Sequence, residues 1–232
     1  MNVAIHQPQY LPWLPYFLKI KESDVFIVLD TVDFQKNGLQ NRNQIKTSQG
    51  AFWLTVPVKQ QRGQKIIDVR IDNGTDWRRK HWKTILQSYR KASWFEQYEK
   101  ELEALYAHEW SSLNELNVKL ITLMMRWMNM QTPLVRSSEM KASGAASELV
   151  LNLCLEAGAT RYLSGTGGRN YLEPDAFERA GVEIVYQPAV LPGAYPQLFP
   201  KEGFINSLSA LDILLNCGDS WGRYMPVEVA GQ

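Results

Sequence analysis

The sequence predicts an α/β fold: a mostly parallel sheet covered by helices, of Rossmann-like or HUP-like type, with a central helical insertion. Three observations carry this. Segments of strand length recur near 3–5, 24–30, 133–137, 161–164 and 182–186, and 24–30 is a continuous apolar run bounded by acids, as a strand buried on both faces is. Helix-period segments separate most of them, and the block 77–130 keeps a helical period throughout. The order α/β, then α, then α/β describes a layered sheet. A single domain over residues 1–232 is expected, with a helical lobe at about 77–130.

The first strand, at 3–5, ends in His6 and Gln7. Pro8, Pro12 and Pro15 stiffen the loop that follows, because proline fixes its own φ and turns the preceding residue away from helix. A helix over 16–21 leads to the strand Asp24-Val-Phe-Ile-Val-Leu-Asp30, completing a βαβ unit. Residues 31–50 are polar and read as a loop, with Asn37-Gly38 as a turn signal. Strands are expected at 52–58 and 66–71, with a solvated loop between them. Three amphipathic helices, broken near Ser93 and at 110–112, fill the helical lobe. Beyond the return strand at 133–137, a helix runs from about 147 to 157 and is ended by Gly158. A strand at 161–164, a glycine-rich loop, a helix at 174–180 and a strand at 182–186 repeat the βαβ logic. A last helix spans 207–215, with Asn206 or Ser207 as its N-cap.

Composition excludes several classes. A hydrophobic share of 45% with 21% charged residues argues against disorder, and a formal net charge of +1 gives no global field for nucleic acid or membranes. The apolar stretch 116–130 is interrupted by Asn117, Lys119 and Arg126, so no membrane insertion is expected. Met1 leads straight into a strand without a basic and apolar leader, which points to a cytoplasmic protein. Histidines at 6, 81 and 108, without a close Asp/Glu/Cys pattern, predict no metal site. Two cysteines cannot build a disulfide framework, and Cys154 reads as a buried, inert thiol.

The candidate site residues cluster where strands end. In open α/β sheets ligands sit at the carboxyl ends of strands, which singles out His6, Gln7 and Tyr10. His6 is either a site imidazole or a strand-end cap bonded to the backbone. Ser164, Gly165, Thr166, Gly167 and Gly168 form a ribbon whose backbone can approach a ligand closely, although its spacing fits neither a dinucleotide fingerprint nor a P-loop. Lys36, Asn41, Arg42 and Asn43 offer a carboxylate- or phosphate-binding set, or else a solvated hairpin. His81 lies in the cationic run 78–83 at a helix start, an arrangement that an anion would relieve. Gln197 adds a polar group near the end of the chain, and Cys217 is a nucleophile only if a base such as His6 lies beside it.

Several segments together resemble the WbqC-like protein family: His6-Gln-Pro-Gln-Tyr10-Leu-Pro-Trp13, Asn41-Arg42-Asn43-Gln-Ile45, Trp53-Leu-Thr-Val-Pro57, Tyr162-Leu-Ser-Gly-Thr-Gly-Gly168 and Asp212-Ile-Leu-Leu-Asn216-Cys217-Gly218. Pro15 stands where the family pattern has glycine. The resemblance implies a role in assembling O-antigen or other glycans, with glycine-type aminoacyl transfer to amino sugars as a suggested activity. The opening strand, loop, helix and strand are also similar to the start of nucleotidyltransferases with an HxGH motif, but the second histidine of that motif is missing.

The reading that unites these features is an acyl or aminoacyl transferase acting on a small-molecule amine or amino sugar. His6 is the general base, Lys36 and Arg42 hold an anionic group, His81 adds an imidazole, and the glycine ribbon binds an oxyanion or diphosphate. The donor is a thioester on an acyl carrier protein, or an adenylate made with ATP and Mg²⁺. A nucleotidyltransferase and a non-catalytic carbohydrate- or carrier-binding protein are the alternatives.

Overall fold

The computed structural model describes residues 1–188 and 190–225. Ala189 and residues 226–232, the end of the domain expected over 1–232, lie outside the described residues. The chain runs β1 (Asn2–His6), α1 (Leu14–Lys21), β2 (Val25–Val28), β3 (Arg42–Thr47), β4 (Gly50–Thr55), β5 (Val58–Lys59) and β6 (Arg70–Ile71). Then follow α2 (Trp77–Tyr89), α3 (Phe95–Ala107), α4 (Leu113–Trp127), β7 (Leu134–Arg136), α5 (Ala146–Glu156), β8 (Arg161–Gly165), α6 (Pro174–Arg179), β9 (Glu183–Gln187) and α7 (Ala210–Cys217).

Five strands form one parallel sheet in the order β7-β2-β1-β8-β9, flanked by helices, so the predicted α/β class holds. Counted within this sheet the order is 3-2-1-4-5, the Rossmann arrangement. The chain moves from β1 outward to β7 on one side, then returns to β8 and moves outward to β9 on the other. The reversal falls between β1 and β8, whose carboxyl ends therefore frame a crevice.

Side chains alternate across this sheet and feed two cores. Val3, Ile5, Ile27 and Tyr162 pack with α5 and α6, where Leu153, Cys154 and Phe177 are buried. Ala4, Phe26, Val28 and Leu163 face the other way, into a larger core with Phe17 of α1, Leu120 of α4 and Leu211 of α7. The helices of the block 77–130 share this larger core with the sheet. His6 follows Ala4 by two residues and so stands on the α1 face, where its ring meets Tyr16 edge-on at 5.1 Å.

The structure corrects four local expectations. The polar stretch expected as a loop contains β3, paired with β4 in a hairpin that turns at Ser48-Gln49 rather than at Asn37-Gly38. Residues 66–71 are not one strand but a 3-10 turn, Ile66–Asp68, followed by the short β6. The last helix starts at Ala210 with Ser209 as its N-cap, whose Oγ accepts from the Leu211 amide at 3.1 Å. The 66–68 turn and the helix start share one cause: distant backbone groups, rather than local pattern, take up their hydrogen bonds. The Ile67 amide donates to the Asp30 carbonyl, and the Ser209 amide to the Gln44 carbonyl.

Candidate functional site at the reversal of strand order

A cavity of about 330 Å³ opens at this reversal. His6 ends β1, Gly165 ends β8 and Gln187 ends β9, and all three line it. Trp13, Tyr16, Lys19 and Glu22 close it from the loop and helix that follow β1, and Thr166 and Gly167 from the turn that follows β8. Thus His6 and the glycine ribbon, distant in sequence, meet around one space. The parallel pairing of β1 with β8 brings them there.

His6 is held in one tautomer. Its Nδ1 lies 3.0 Å from the Gln7 carbonyl, which can only accept, so Nδ1 carries the proton and Nε2 keeps its lone pair. Burial, reinforced by the charge of Lys19, pushes its pKa down to about 4 against a favourable backbone bond to Gln7. The imidazole is therefore neutral at neutral pH. His6 thus bonds the backbone through one nitrogen, and its side chain lines the cavity.

The ribbon is shaped by close packing. A Cβ on Gly168 would collide with Ser164 Oγ and Leu172, and one on Gly165 would lie 3.3 Å from Lys19 Nζ. A Cβ on Gly167 meets open space. Ser164 is buried beneath the ribbon, donating its hydroxyl to the Gly165 carbonyl at 3.0 Å.

With this geometry in place, the comparisons with known proteins bear on identity. The model of the WbqC-like protein family matches residues 7–224, nearly the whole chain. The chain belongs to the WbqC-like protein family. The matched stretch begins at the residue after His6. An uncharacterized protein of Mycobacterium tuberculosis is 36% identical over 227 residues, covering 97% of each chain. No solved structure matches.

Other polar residues singled out in this WbqC-like sequence lie away from the cavity lining. Gln7 Oε1 accepts from Gln40 Nε2 at 2.8 Å. Asn41 and Asn43 brace loops, donating to the carbonyls of Val56 and Leu11 at 2.9 and 2.7 Å. Arg42 lies over the Trp53 ring, 4.5 Å from its centroid, and Lys36 is exposed. His81 turns inward from the cationic run: its Nδ1 meets the Tyr10 hydroxyl at 2.8 Å, and that hydroxyl also bonds Tyr106 at 2.6 Å. Two cations of the run have counter-charges within the chain, Arg79 on Asp76 and Arg78 near Glu109. Gln197 joins a buried network with Lys46 and Asp212. Cys217 is buried, its pKa pushed up to about 11, and it does not line the cavity with His6.

Lys19 and Gln187 went unnoticed in the sequence. Lys19 looks like any helix-surface lysine, yet it lies one turn beyond Tyr16 on the same face of α1. Among the described residues no cluster of His, Cys, Asp or Glu could hold a metal ion, and no helix is long and apolar enough to cross a membrane.

Proposed function

We propose that this WbqC-like protein is an enzyme that transfers an acyl or aminoacyl group to the amine of a small molecule, such as an amino sugar. The setting, glycan or specialised-metabolite assembly, is the one the family resemblance implies. One observation carries the reading: a neutral imidazole, unprotonated at Nε2, lines a small-molecule cavity at the crevice where α/β sheets bind ligands.

In the reaction, the amine nitrogen attacks the acyl carbon and a C–N bond forms. The bond from that carbon to the leaving group breaks, the leaving group being a carrier thiolate or an adenylate phosphate. His6 Nε2 takes the amine proton and returns it to the leaving group. A base with a pKa of about 4 is weak in the empty cavity. Negative charge developing on the acyl oxygen favours the imidazolium and strengthens the base as the proton moves. Gly165 and Gly167 let the ligand approach the backbone, since neither carries a side chain toward it. Lys36, Arg42 and His81 have no part in this account, because none of them lines the cavity.

The test is turnover of purified protein with amino sugars and activated acyl donors, followed by mass spectrometry. His6→Ala should lower turnover about 10²- to 10⁴-fold, and near-normal turnover of a folded His6→Ala protein removes His6 from the role. The strand order 3-2-1-4-5 favours a second reading, nucleotidyl transfer. Tight binding of ATP–Mg²⁺ by calorimetry, with transfer of a nucleotidyl rather than an acyl group, would select it. Binding of sugars without any covalent product would select a non-catalytic carbohydrate-binding role.

A further inference from the structure

Lys19 sits in the last turn of α1, half-buried, with Nζ held over the end of β8. A Cβ on Gly165 would stand 3.3 Å from that nitrogen, so glycine is what leaves the ammonium room. Among the described residues Lys19 makes no ion pair or hydrogen bond. Lys46, also removed from solvent, contrasts with it by donating to Gln197 Oε1 and the Gly203 carbonyl. Taking a cation from water without a partner is costly. Burial accordingly brings the pKa of Lys19 down to about 8. Two further polar atoms on residues lining this cavity, Tyr16 Oη and Gln187 Oε1, are also buried and without partners. Among the described lining residues, then, stands a cation with no ion pair, on a wall that also holds a buried hydroxyl and a buried amide carbonyl without hydrogen-bond partners.

The charges of the lining decide what kind of anion fits. His6 is neutral, and among the described lining residues Lys19 is the single cation and Glu22 the single carboxylate. A di- or triphosphate would bring several negative charges to one ammonium, with a carboxylate already alongside. A molecule with one carboxylate matches that single ammonium in charge. Its carboxylate meets Lys19, and an N–H donor beside it faces the Gln187 side of the cavity.

We infer that Lys19 is the carboxylate receptor of this cavity, and that the protein takes a small amino acid-like acid rather than a polyphosphate. The inference rests on the cavity being the substrate site of the transferase reading, and it names the substrate class.

The test is an NMR titration of the full chain, following the Gly165 and Gly167 amides, with free amino acids, their carboxamides, inorganic phosphate and ATP–Mg²⁺. At least one amino acid should shift these amides, while its carboxamide does not. Lys19→Met should weaken that binding about 10- to 100-fold, the worth of a hydrogen bond to a charged group, and Lys19→Arg should retain most of it. Binding should fade as pH rises through about 8, where Lys19 loses its proton. His6 is already neutral there, Tyr16 stays protonated because burial raises its pKa, and Glu22 is the remaining titratable group facing the cavity. Phosphate or ATP–Mg²⁺ binding as tightly as the acids, unchanged binding in a folded Lys19→Met protein, or no binding by any amino acid overturns the inference. Acyl transfer without carboxylate binding would sink Lys19's role and leave the transferase reading standing. Carboxylate binding through Lys19 without any transfer would do the reverse.

Discussion

Lys46 and Asp212, both buried, are joined through one amide. Lys46 Nζ donates to Gln197 Oε1 at 3.1 Å, and Gln197 Nε2 donates to Asp212 Oδ2 at 2.8 Å. Asp212 also accepts from Tyr89 at 2.6 Å and from Tyr195 at 2.7 Å. Burial raises the pKa of the carboxyl, while these donors and Lys46 pull it back. The same amide grips the segment before α7, since Gln197 Oε1 accepts from the Ile205 amide and Nε2 donates to the Ile205 carbonyl. Gln197→Leu keeps much of the volume but strips both charges of a partner. It should cost about 3–5 kcal/mol, the scale for breaking a buried charged network, read as a lower urea midpoint. A loss below about 1 kcal/mol would mean that the network does not hold the fold.

The glycine ribbon should not be uniformly sensitive. Gly168→Ala drives a methyl into Ser164 Oγ and Leu172, whereas Gly167→Ala points one into open space. Thermal unfolding should place Gly168→Ala about 1–3 kcal/mol below the parent, the usual cost of overpacking, and Gly167→Ala within about 0.5 kcal/mol of it. Gly218→Ala should be worse than either: its φ is +56° and its Cβ would enter the Trp94 ring. Equal stabilities for the ribbon variants would refute this packing account.

These outcomes bear on what the sequence discloses. The unit β1-α1-β2 is legible because strands buried on both faces read as unbroken apolar runs, and prolines mark the loop between strand and helix. The approach of His6 to Gly165 is legible only through the general rule about strand ends, since the pairing of β1 with β8 spans most of the chain. Strand β3 is hidden because its buried members include Asn43 and Lys46. Their polar atoms are satisfied by Leu11, Gln197 and Gly203, partners that no local window contains. His81 misleads for a related reason: its neighbours are cationic and exposed, while its own ring is drawn inward by Tyr10. Lys19 could have been found from its phase, three residues beyond Tyr16 in a helix that begins beside the first loop.

Arg42 provides a control for the location of the site. Its guanidinium lies on Trp53 and its Nε is buried without a hydrogen-bond partner, so its contribution is to the β3–β4 hairpin. Arg42→Met keeps a long apolar stem over the ring. The change should cost at most about 1–2 kcal/mol, the upper range of a cation–π contact. Ligand affinity at the cavity should stay within about twofold, well under the 1.4 kcal/mol of a tenfold change, as measured by the titration used for Lys19→Met. A tenfold loss in a folded Arg42→Met protein would extend the site to the hairpin.

Acid should destabilise the protein in a defined window. His6 and His81 are both lowered from 6.5 to about 4, mainly by burial. An unfolded chain protonates these rings as pH falls through 6.5, whereas the folded protein resists until about 4. Protons therefore favour the unfolded state across that interval. Stability is whole above 6.5, declines toward 4 and gains no further slope from these groups below it. The fully developed effect is at most about 3 kcal/mol per ring, at 1.36 kcal/mol per pKa unit. His81→Phe removes one titrating ring and keeps the hydrogen bond between Tyr10 and Tyr106. Urea unfolding between pH 7 and about 4 should show a shallower decline for His81→Phe than for the parent. Parallel curves for the two proteins would mean that His81 is as easily protonated in the fold as in the open chain.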